Sequence, residues 1–225
     1  MSSGNAASFL PLHTLTNRTD ELVTAYSNQD PASQFPAGTD TTIIAGWGAQ
    51  RDALLSSIRA GVVAATEFAT VGGSAMAICL EKPLSRGSIY INSTDPFADP
   101  VVDFGLFKNP VDVQIMVEAI KTWRKLLTMP SFQEIGAQPT TPGDDISTDD
   151  QIKQFIVQSV YPSTSHPSGT ASMLPKSLGG VVGPDLLVHG VSKLSVVDAS
   201  IIPMIPATHI SSTVYAIAEK VSSSL

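Results

Sequence analysis

The chain has 225 residues, of which 43% are hydrophobic and 15% are charged, and its formal net charge is −7. This length suits one large domain or two smaller ones with a buried core, and the low charge content excludes an intrinsically disordered chain. An acidic sequence without a Lys/Arg cluster is not expected to bind nucleic acid.

The sequence offers no targeting or membrane signal on which to base a localisation. The residues after Met1 contain no basic stretch followed by a long apolar run, so no signal peptide is expected. No run approaches the roughly 20 apolar residues of a membrane span, so no membrane contact is expected. Cys79 is the only cysteine, and its apolar surroundings in the sequence predict a buried core thiol.

The N-terminal region is predicted to be mostly loop. Residues up to about 50 are rich in Ser, Thr, Asn, Gly and Pro and show little hydrophobic periodicity. A short amphipathic helix is predicted over residues 51–59, because Leu54, Leu55 and Ile58 recur at helical spacing.

The middle of the chain predicts a β-hairpin. Residues 74–80 and 87–92 are rich in strand-forming side chains, and residues 82–87 between them contain turn-forming Pro, Ser and Gly.

Two helices have clear start signals. Asn109 is a good N-cap and Pro110 suits the first helical position. Thr148 and Gln151 form a capping box at the start of the second helix. An apolar stripe in the first helix predicts a core-facing surface; its members are Val113, Met116, Val117, Ile120, Trp123 and Leu127.

The C-terminal region predicts a strand, a loop and a helix. Residues 194–197 form a short β-run that ends at Asp198, and a helix is predicted to begin near Ser211 or Ser212. A strand that leads through a loop to a helix N-terminus is a geometry that receives ligands, and a helix start favours negative charge.

Two histidines flank this strand in sequence. His166 precedes the strand and His209 follows it, and an imidazole can accept a proton near neutral pH. Spacing alone leaves two interpretations open: a catalytic pair, or two ordinary hydrogen-bonded histidines.

Ordered motifs extend over much of the chain. They are PLSRGS at 83–88, HPSGTASM at 166–173, GGVV at 179–182, LLVHGV at 186–191, VVDASI at 196–201 and YAIAEK at 215–220. Taken together, they resemble the C-terminal half of the glucose–methanol–choline (GMC) family of flavin-dependent alcohol oxidoreductases. The resemblance is good over residues 75–225 and loose before them.

This resemblance implies an α/β (α+β) fold in two parts. Residues 1–160 would form the substrate-binding region, which is built on an antiparallel sheet. Residues 161–225 would form the C-terminal part of an FAD-binding domain, as a strand–loop–helix remnant that carries the catalytic His motif.

The resemblance also implies catalytic roles. His166 matches the family's catalytic histidine, which takes the hydroxyl proton of an alcohol while hydride passes to the flavin. His209 matches a second active-site position that is His or Asn in the family. The segment from Pro206 to His209 is more similar to the aryl-alcohol and glucose oxidase type than to the choline type.

Four further residues match positions next to the FAD cofactor. Asp198 and Ala199 match the turn that meets the ribityl–pyrophosphate portion of the flavin. Ile210 and Ser211 match a helix start whose backbone faces the flavin N1/O2 edge, where a reduced flavin carries negative charge.

The main functional hypothesis is therefore FAD-dependent oxidation of a small-molecule alcohol at its CH–OH group. The sequence contains no Gly-x-Gly-x-x-Gly loop for the dinucleotide phosphates. This favours an alternative in which the chain is a truncated, non-catalytic remnant or a subunit of a separate FAD-binding chain. No Cys/His set has metal-site spacing, and no Gly-x-Ser-x-Gly motif indicates a serine hydrolase.

Overall fold

The computed structural model describes residues 6–71, 75–139 and 141–223. In this part of the chain the strands are β1 (Ala7–Leu10), β2 (Thr66–Val71), β3 (Ala75–Leu80), β4 (Ser88–Tyr90) and β5 (Val101–Asp103). The α-helices are α1 (Leu12–Leu15), α2 (Thr19–Ser27), α3 (Thr41–Arg59), α4 (Pro110–Leu127), α5 (Pro130–Glu134), α6 (Asp149–Ser159) and α7 (Ser211–Ser222). None of the helices in these ranges has the length and apolar character that crossing a bilayer requires.

The chain forms two compact units, each assembled from separated stretches of sequence. The described residues of the first unit come from Met1–Tyr26, Ser57–Leu84 and Asn109–Tyr161. Those of the second unit come from Ser27–Ser56, Ser85–Lys108 and Pro162–Leu225.

The first unit is built on a three-stranded antiparallel sheet in the order β1–β2–β3. Helix α4 packs against β3 and also contacts α1, α5 and α6. Its start is set locally, because Asn109 Oδ1 accepts the N–H of Val111 at 3.0 Å and Pro110 occupies the first turn. The stripe predicted on α4 is buried except for the half-buried Trp123, whose ring meets Phe68 and Phe132 edge-on.

Helix α6 completes the core of this unit. Both hydrogen bonds of the predicted capping box between Thr148 and Gln151 are present. The helical spacing of Ile152, Phe155 and Ile156 predicts a buried face; the two isoleucines are buried and Phe155 is half-buried.

The second unit combines most of α3, the two-stranded antiparallel sheet β4–β5, and the C-terminal region. The guanidinium carbon of Arg86 lies 3.7 Å from the ring centroid of the buried Trp47 on α3. The side-chain amide of Gln50, also on α3, donates to the carbonyl of Pro203. Helix α3 thereby supports the loop that leads to His209.

The fold class is confirmed as a mixture of helices and small antiparallel sheets, but the predicted hairpin is wrong. Strands β3 and β4 both exist, yet β3 pairs with β2 and β4 pairs with β5. Residues 82–87 do not form a tight turn between them. Leu84 is instead buried in the core of the first unit, where its backbone is hydrogen-bonded.

Three further expectations need correction. The N-terminal region contains β1, α1, α2 and the first half of α3, rather than mostly loop. Residues 194–197 form no regular strand; a single bridge joins Ser195 to Leu187. Cys79 is half-buried rather than fully buried. The assignment of residues 1–160 to a substrate-binding region and residues 161–225 to an FAD-binding domain stays a prediction.

Candidate active site

His166 lies in a half-buried position after a tight serine-rich turn. Its Nδ1 atom is 2.5 Å from the carbonyl oxygen of Thr164 and 3.3 Å from the hydroxyl of the same residue. Its backbone N–H donates to Ser163 Oγ at 3.0 Å. Ser165, between these residues, has a φ of 65° in the left-handed region that few non-glycine residues adopt. Local hydrogen bonds therefore hold both the main chain and the ring of His166.

Asp198 begins a short 3-10 turn over Ala199–Ile201. Its Oδ1 accepts the N–H of Ser200 at 2.8 Å, which is the usual way in which an Asp side chain caps such a turn. Ile201 and Ile202 are buried, so the turn is anchored on its apolar side. The exposed carboxylate of Asp198 shapes the turn and remains accessible to solvent.

Backbone hydrogen bonds join the segment after His166 to this turn. The N–H groups of Gly169, Ala171 and Met173 donate to the carbonyls of Ala199, Ser200 and Ile201 at 3.2, 2.9 and 2.8 Å. Gly169 has a φ of 83°, and a Cβ there would lie 3.1 Å from the Ile202 carbonyl. The glycine of the HPSGTASM motif is thus required by backbone conformation and by close approach.

The structure brings the two candidate catalytic histidines together. The ring centroids of His166 and His209 are 5.8 Å apart, and the ring planes are inclined by 60°. His166 is half-buried and His209 is exposed. Two imidazoles at this separation are close enough to contact one small ligand.

Helix α7 begins directly after His209. Ile210 is its N-cap residue and is buried, and no side chain caps the helix there. Ser211 is the first helical residue and is exposed. The first N–H groups of a helix have no acceptor within the helix, and they favour a negatively charged group.

Two contributions to the site were missed in the sequence. The turn of Ser163, Thr164 and Ser165 lies just outside the HPSGTASM motif, although a Ser three residues before a histidine is a pattern for a side-chain bond to the backbone. The support from α3 was missed because residues up to about 50 show little hydrophobic periodicity, so the helix was predicted only over residues 51–59.

His189, the histidine nearest to these motifs, has a structural contact. Its Nε2 atom lies 3.0 Å from the carbonyl oxygen of Leu174, and its backbone N–H donates to Val181 at 2.9 Å. It therefore belongs to the framework of the GGVV and LLVHGV motifs.

Comparison with known proteins gives a family for this arrangement. The family model described as GMC oxidoreductase matches residues 83–218, which is more than half of the chain. The chain belongs to the GMC oxidoreductase family. The match covers the family's C-terminal region and includes His166, His209 and the motifs between them.

Two similar proteins are named as dehydrogenases. The chain is 32% identical to the dehydrogenase xptC of Emericella nidulans over 192 residues, which is 85% of this chain and 31% of that protein. It is 38% identical to a pyranose dehydrogenase of Agaricus xanthodermus over 140 residues, which is 62% of this chain and 23% of that protein.

Solved GMC-type structures have the same fold over nearly the whole chain. An FAD-dependent oxidoreductase from Chaetomium thermophilum matches with a TM-score of 0.91 and 30% identity, and a fungal aryl-alcohol oxidase matches with 0.86 and 34%. Each comparison covers 96% of this chain and 37% of the solved chain. The chain spans about a third or less of the length of the curated relatives it matches.

Proposed function

We propose that this GMC chain forms the histidine-bearing side of the active site of an FAD-dependent oxidoreductase that acts on the CH–OH group of alcohols. The observation that carries the proposal is the His166–His209 pair, whose rings lie 5.8 Å apart although they come from separate motifs. Similarity to a pyranose dehydrogenase and to an aryl-alcohol oxidase supports a sugar or aromatic alcohol as the substrate class.

His166 is the proposed base. Oxidation of an alcohol requires the hydroxyl proton to leave as the carbinol hydrogen departs with its electron pair. An imidazole is suited to take that proton because its unperturbed pKa lies near neutrality. The hydrogen bonds around His166 hold it in one place, which a positioned base requires.

His209 is proposed to hydrogen-bond the substrate oxygen beside His166. Its ring is more exposed than that of His166, and only a hydrogen-bonding group is needed in this role. His209 resembles a family position that is either His or Asn, and Asn can form a hydrogen bond but cannot act as a base.

The residues proposed to contact FAD suit such a group. The uncapped N-terminus of α7 at Ile210 and Ser211 offers backbone N–H groups to a negative edge, and the turn at Asp198 and Ala199 is tied to the His166 segment. When bound, FAD supplies the acceptor for the hydride. The chain's own residues then hold the alcohol and remove its proton.

The exposed surfaces of α7 and β5 favour a second candidate function, in which this chain acts only together with a flavin-binding region. Helix α7 has no buried residue although half of its residues are apolar, and Tyr215 on it is 77% exposed. All three residues of β5 are exposed as well. An FAD-binding region, in the same protein or as a separate chain, would cover such surfaces, and without it the chain would be a non-catalytic remnant.

The experiment is anaerobic mixing of an alcohol with the chain in a flavin-competent form, completed by a GMC flavin-binding region. Bleaching of the flavin absorbance is expected with an aryl alcohol or a pyranose. Deuterium at the carbinol carbon should slow the bleaching, because that C–H bond breaks. A protein that binds FAD but shows no reduction by either class of alcohol would contradict the proposal.

A further inference from the structure

The serine-rich turn before His166 holds the proposed base in place, and its contacts also bear on where the proton of the ring lies. It comprises Ser163, Thr164 and Ser165, and it is held together by hydrogen bonds to His166 rather than by burial. Thr164 and Ser165 are exposed, and Ser163 and His166 are half-buried. Hydrogen bonds therefore matter more than burial for holding the imidazole in this turn.

The contact at Nδ1 decides which ring nitrogen carries the proton. A carbonyl oxygen can only accept a hydrogen bond, so an imidazole nitrogen 2.5 Å from the carbonyl of Thr164 must be a donor. In the neutral ring the other nitrogen, Nε2, then has the lone pair. The Thr164 hydroxyl lies farther from Nδ1, at 3.3 Å, and can turn to suit either tautomer.

The main chain of the turn is arranged to make this contact. Ser163 Oγ accepts the N–H of His166, which closes the turn, and Ser165 occupies the left-handed region at a φ of 65°. Non-glycine residues adopt that region only when surrounding bonds hold them there. The carbonyl of Thr164 is thereby directed back to the ring of His166, two residues later in the chain.

We propose that this turn is a positioning element that fixes His166 as the Nδ1–H tautomer and so reserves Nε2 for the proton of the substrate. The use of Nε2 as the proton acceptor rests on the proposed function, whereas the tautomer can be measured in the chain without any activity. Ser163, through its side chain, and Thr164, through its main-chain carbonyl, position His166 and do not themselves contact the reacting atoms.

The test is the tautomeric state of His166 in the 225-residue chain labelled with ¹⁵N-histidine. The sequence has four histidines, so a His166→Gln variant assigns the signals. At a pH where the ring is neutral, long-range ¹H–¹⁵N correlation should show a protonated Nδ1 and an unprotonated Nε2. A protonated Nε2, or nitrogen shifts averaged between the two forms, would overturn the proposal.

Substitutions in the turn test whether the turn itself sets the tautomer of His166. Ser163→Ala should move the His166 nitrogen shifts toward the average of the two tautomers, and Ser163→Thr should restore them. Thr164→Val should leave them unchanged, because the carbonyl belongs to the main chain. Ser168→Ala, in the same segment, is the matched control. Unchanged shifts in Ser163→Ala, or changed shifts in Thr164→Val, would contradict the assignment.

A kinetic readout distinguishes positioning from a merely structural role. In the flavin-competent form, Ser163→Ala should lower the rate of flavin reduction by up to about 10²-fold while leaving the KM for the alcohol unchanged. Ser163→Thr should recover the rate. If the wild-type protein reduces no flavin with any alcohol, the proposed function fails, and the tautomer measurement still decides this inference.

Discussion

The side-chain Oδ1 of Asp112 accepts a hydrogen bond from the backbone N–H of Leu84 at 2.8 Å. Both residues are buried, with 1% of each exposed, and the hydroxyl of Tyr26 lies 3.3 Å from the carbonyl of Leu84. The first turn of α4 and a residue of α2 therefore bind both polar groups of the Leu84 backbone. These two hydrogen bonds fix the start of the PLSRGS segment at Leu84, the last residue of this stretch of the first unit.

Asp112→Ala is expected to destabilise the chain by about 1–3 kcal/mol, because the N–H of Leu84 stays buried without this acceptor. Asp112→Asn should cost less, since an amide oxygen can accept the same bond. Urea unfolding of the three proteins measures the difference. Equal losses for the Ala and Asn variants would show that the hydrogen bond to Leu84 is not the main contribution of Asp112.

Gly180 of the GGVV motif lies against the backbone of Leu174. A Cβ at this position would overlap the carbonyl oxygen of Leu174, and main-chain atoms cannot move aside as a flexible side chain can. Gly180→Ala should therefore lower the free energy of unfolding by about 1–3 kcal/mol and disturb the contact of His189 with the same carbonyl.

Gly143→Ala is the matched control for this substitution. Its Cβ would come within 2.8 Å of Asp145 Oδ1, which is the end of a side chain and can rotate away. Thermal unfolding should show a clearly smaller loss for Gly143→Ala than for Gly180→Ala. The reverse order would mean that the Leu174 backbone adapts easily.

Cys79 is expected to react slowly in the folded chain. Burial, with added repulsion from Glu67 and Glu81, raises the pKa of its thiol to about 11. The reactive thiolate is therefore scarcer at about pH 8.5 than in an unfolded chain, where the pKa is ordinary. The rate of alkylation at that pH should rise sharply when denaturant is added, and an equal rate in both states would contradict the raised pKa.

The same pKa shift predicts the sign of a stability change. Between the ordinary value of 9.0 and about 11, the folded chain keeps the Cys79 proton that the unfolded chain has lost. Unfolding is then linked to proton release, so the contribution of Cys79 makes the fold less stable as the pH rises through this window. A Cys79→Ala variant should show a smaller loss of stability over the same range.

Features determined by neighbours in sequence were predicted well. The start of α4 at Asn109 and the capping box of α6 at Thr148 depend only on residues within one helical turn. The start of α7 at Ser211 was also predicted to within a residue.

Strand pairing could not be predicted in the same way. A hairpin between β3 and β4 was expected because they are adjacent in sequence, but the register joins each strand to a different partner. The decisive contacts of Leu84 come from Tyr26 and Asp112, which are distant in the chain. Periodicity carries no information on such partners.

The length of α3 was underestimated for a physical reason that only the packing reveals. Gly46 lowers the helix propensity of residues 41–50, yet a Cβ there would overlap the backbone of Leu178. The close approach of α3 to Leu178 thus requires Gly46, and the same glycine weakens the helix signal in the sequence.

Only part of the candidate site could be predicted from the sequence. Physical reasoning left the pairing of His166 and His209 open, and only the resemblance to the GMC family joined them. The structure brings the rings together, whereas the roles of Asp198, Ala199, Ile210 and Ser211 next to the cofactor stay predictions.

The isolated chain is expected to bind FAD weakly or not at all. Its sequence contains no glycine-rich loop for the phosphates, and none of the described residues of α7 is buried. Absorbance at the flavin bands, after incubation with FAD and removal of free FAD by dialysis, measures this. Addition of a GMC flavin-binding region should restore binding, and a stoichiometrically yellow isolated chain would show that the chain holds FAD unaided.

The most direct measurement is the rate of anaerobic flavin reduction by an alcohol in the flavin-competent form, compared between His166→Asn and His209→Asn. His166→Asn removes the base and should lower the rate by about 10²–10⁴-fold, with less effect on alcohol binding. His209→Asn keeps a hydrogen-bonding group and should retain most of the rate. The opposite order would make His209 the base, and unchanged rates in both variants would contradict a catalytic role for the pair.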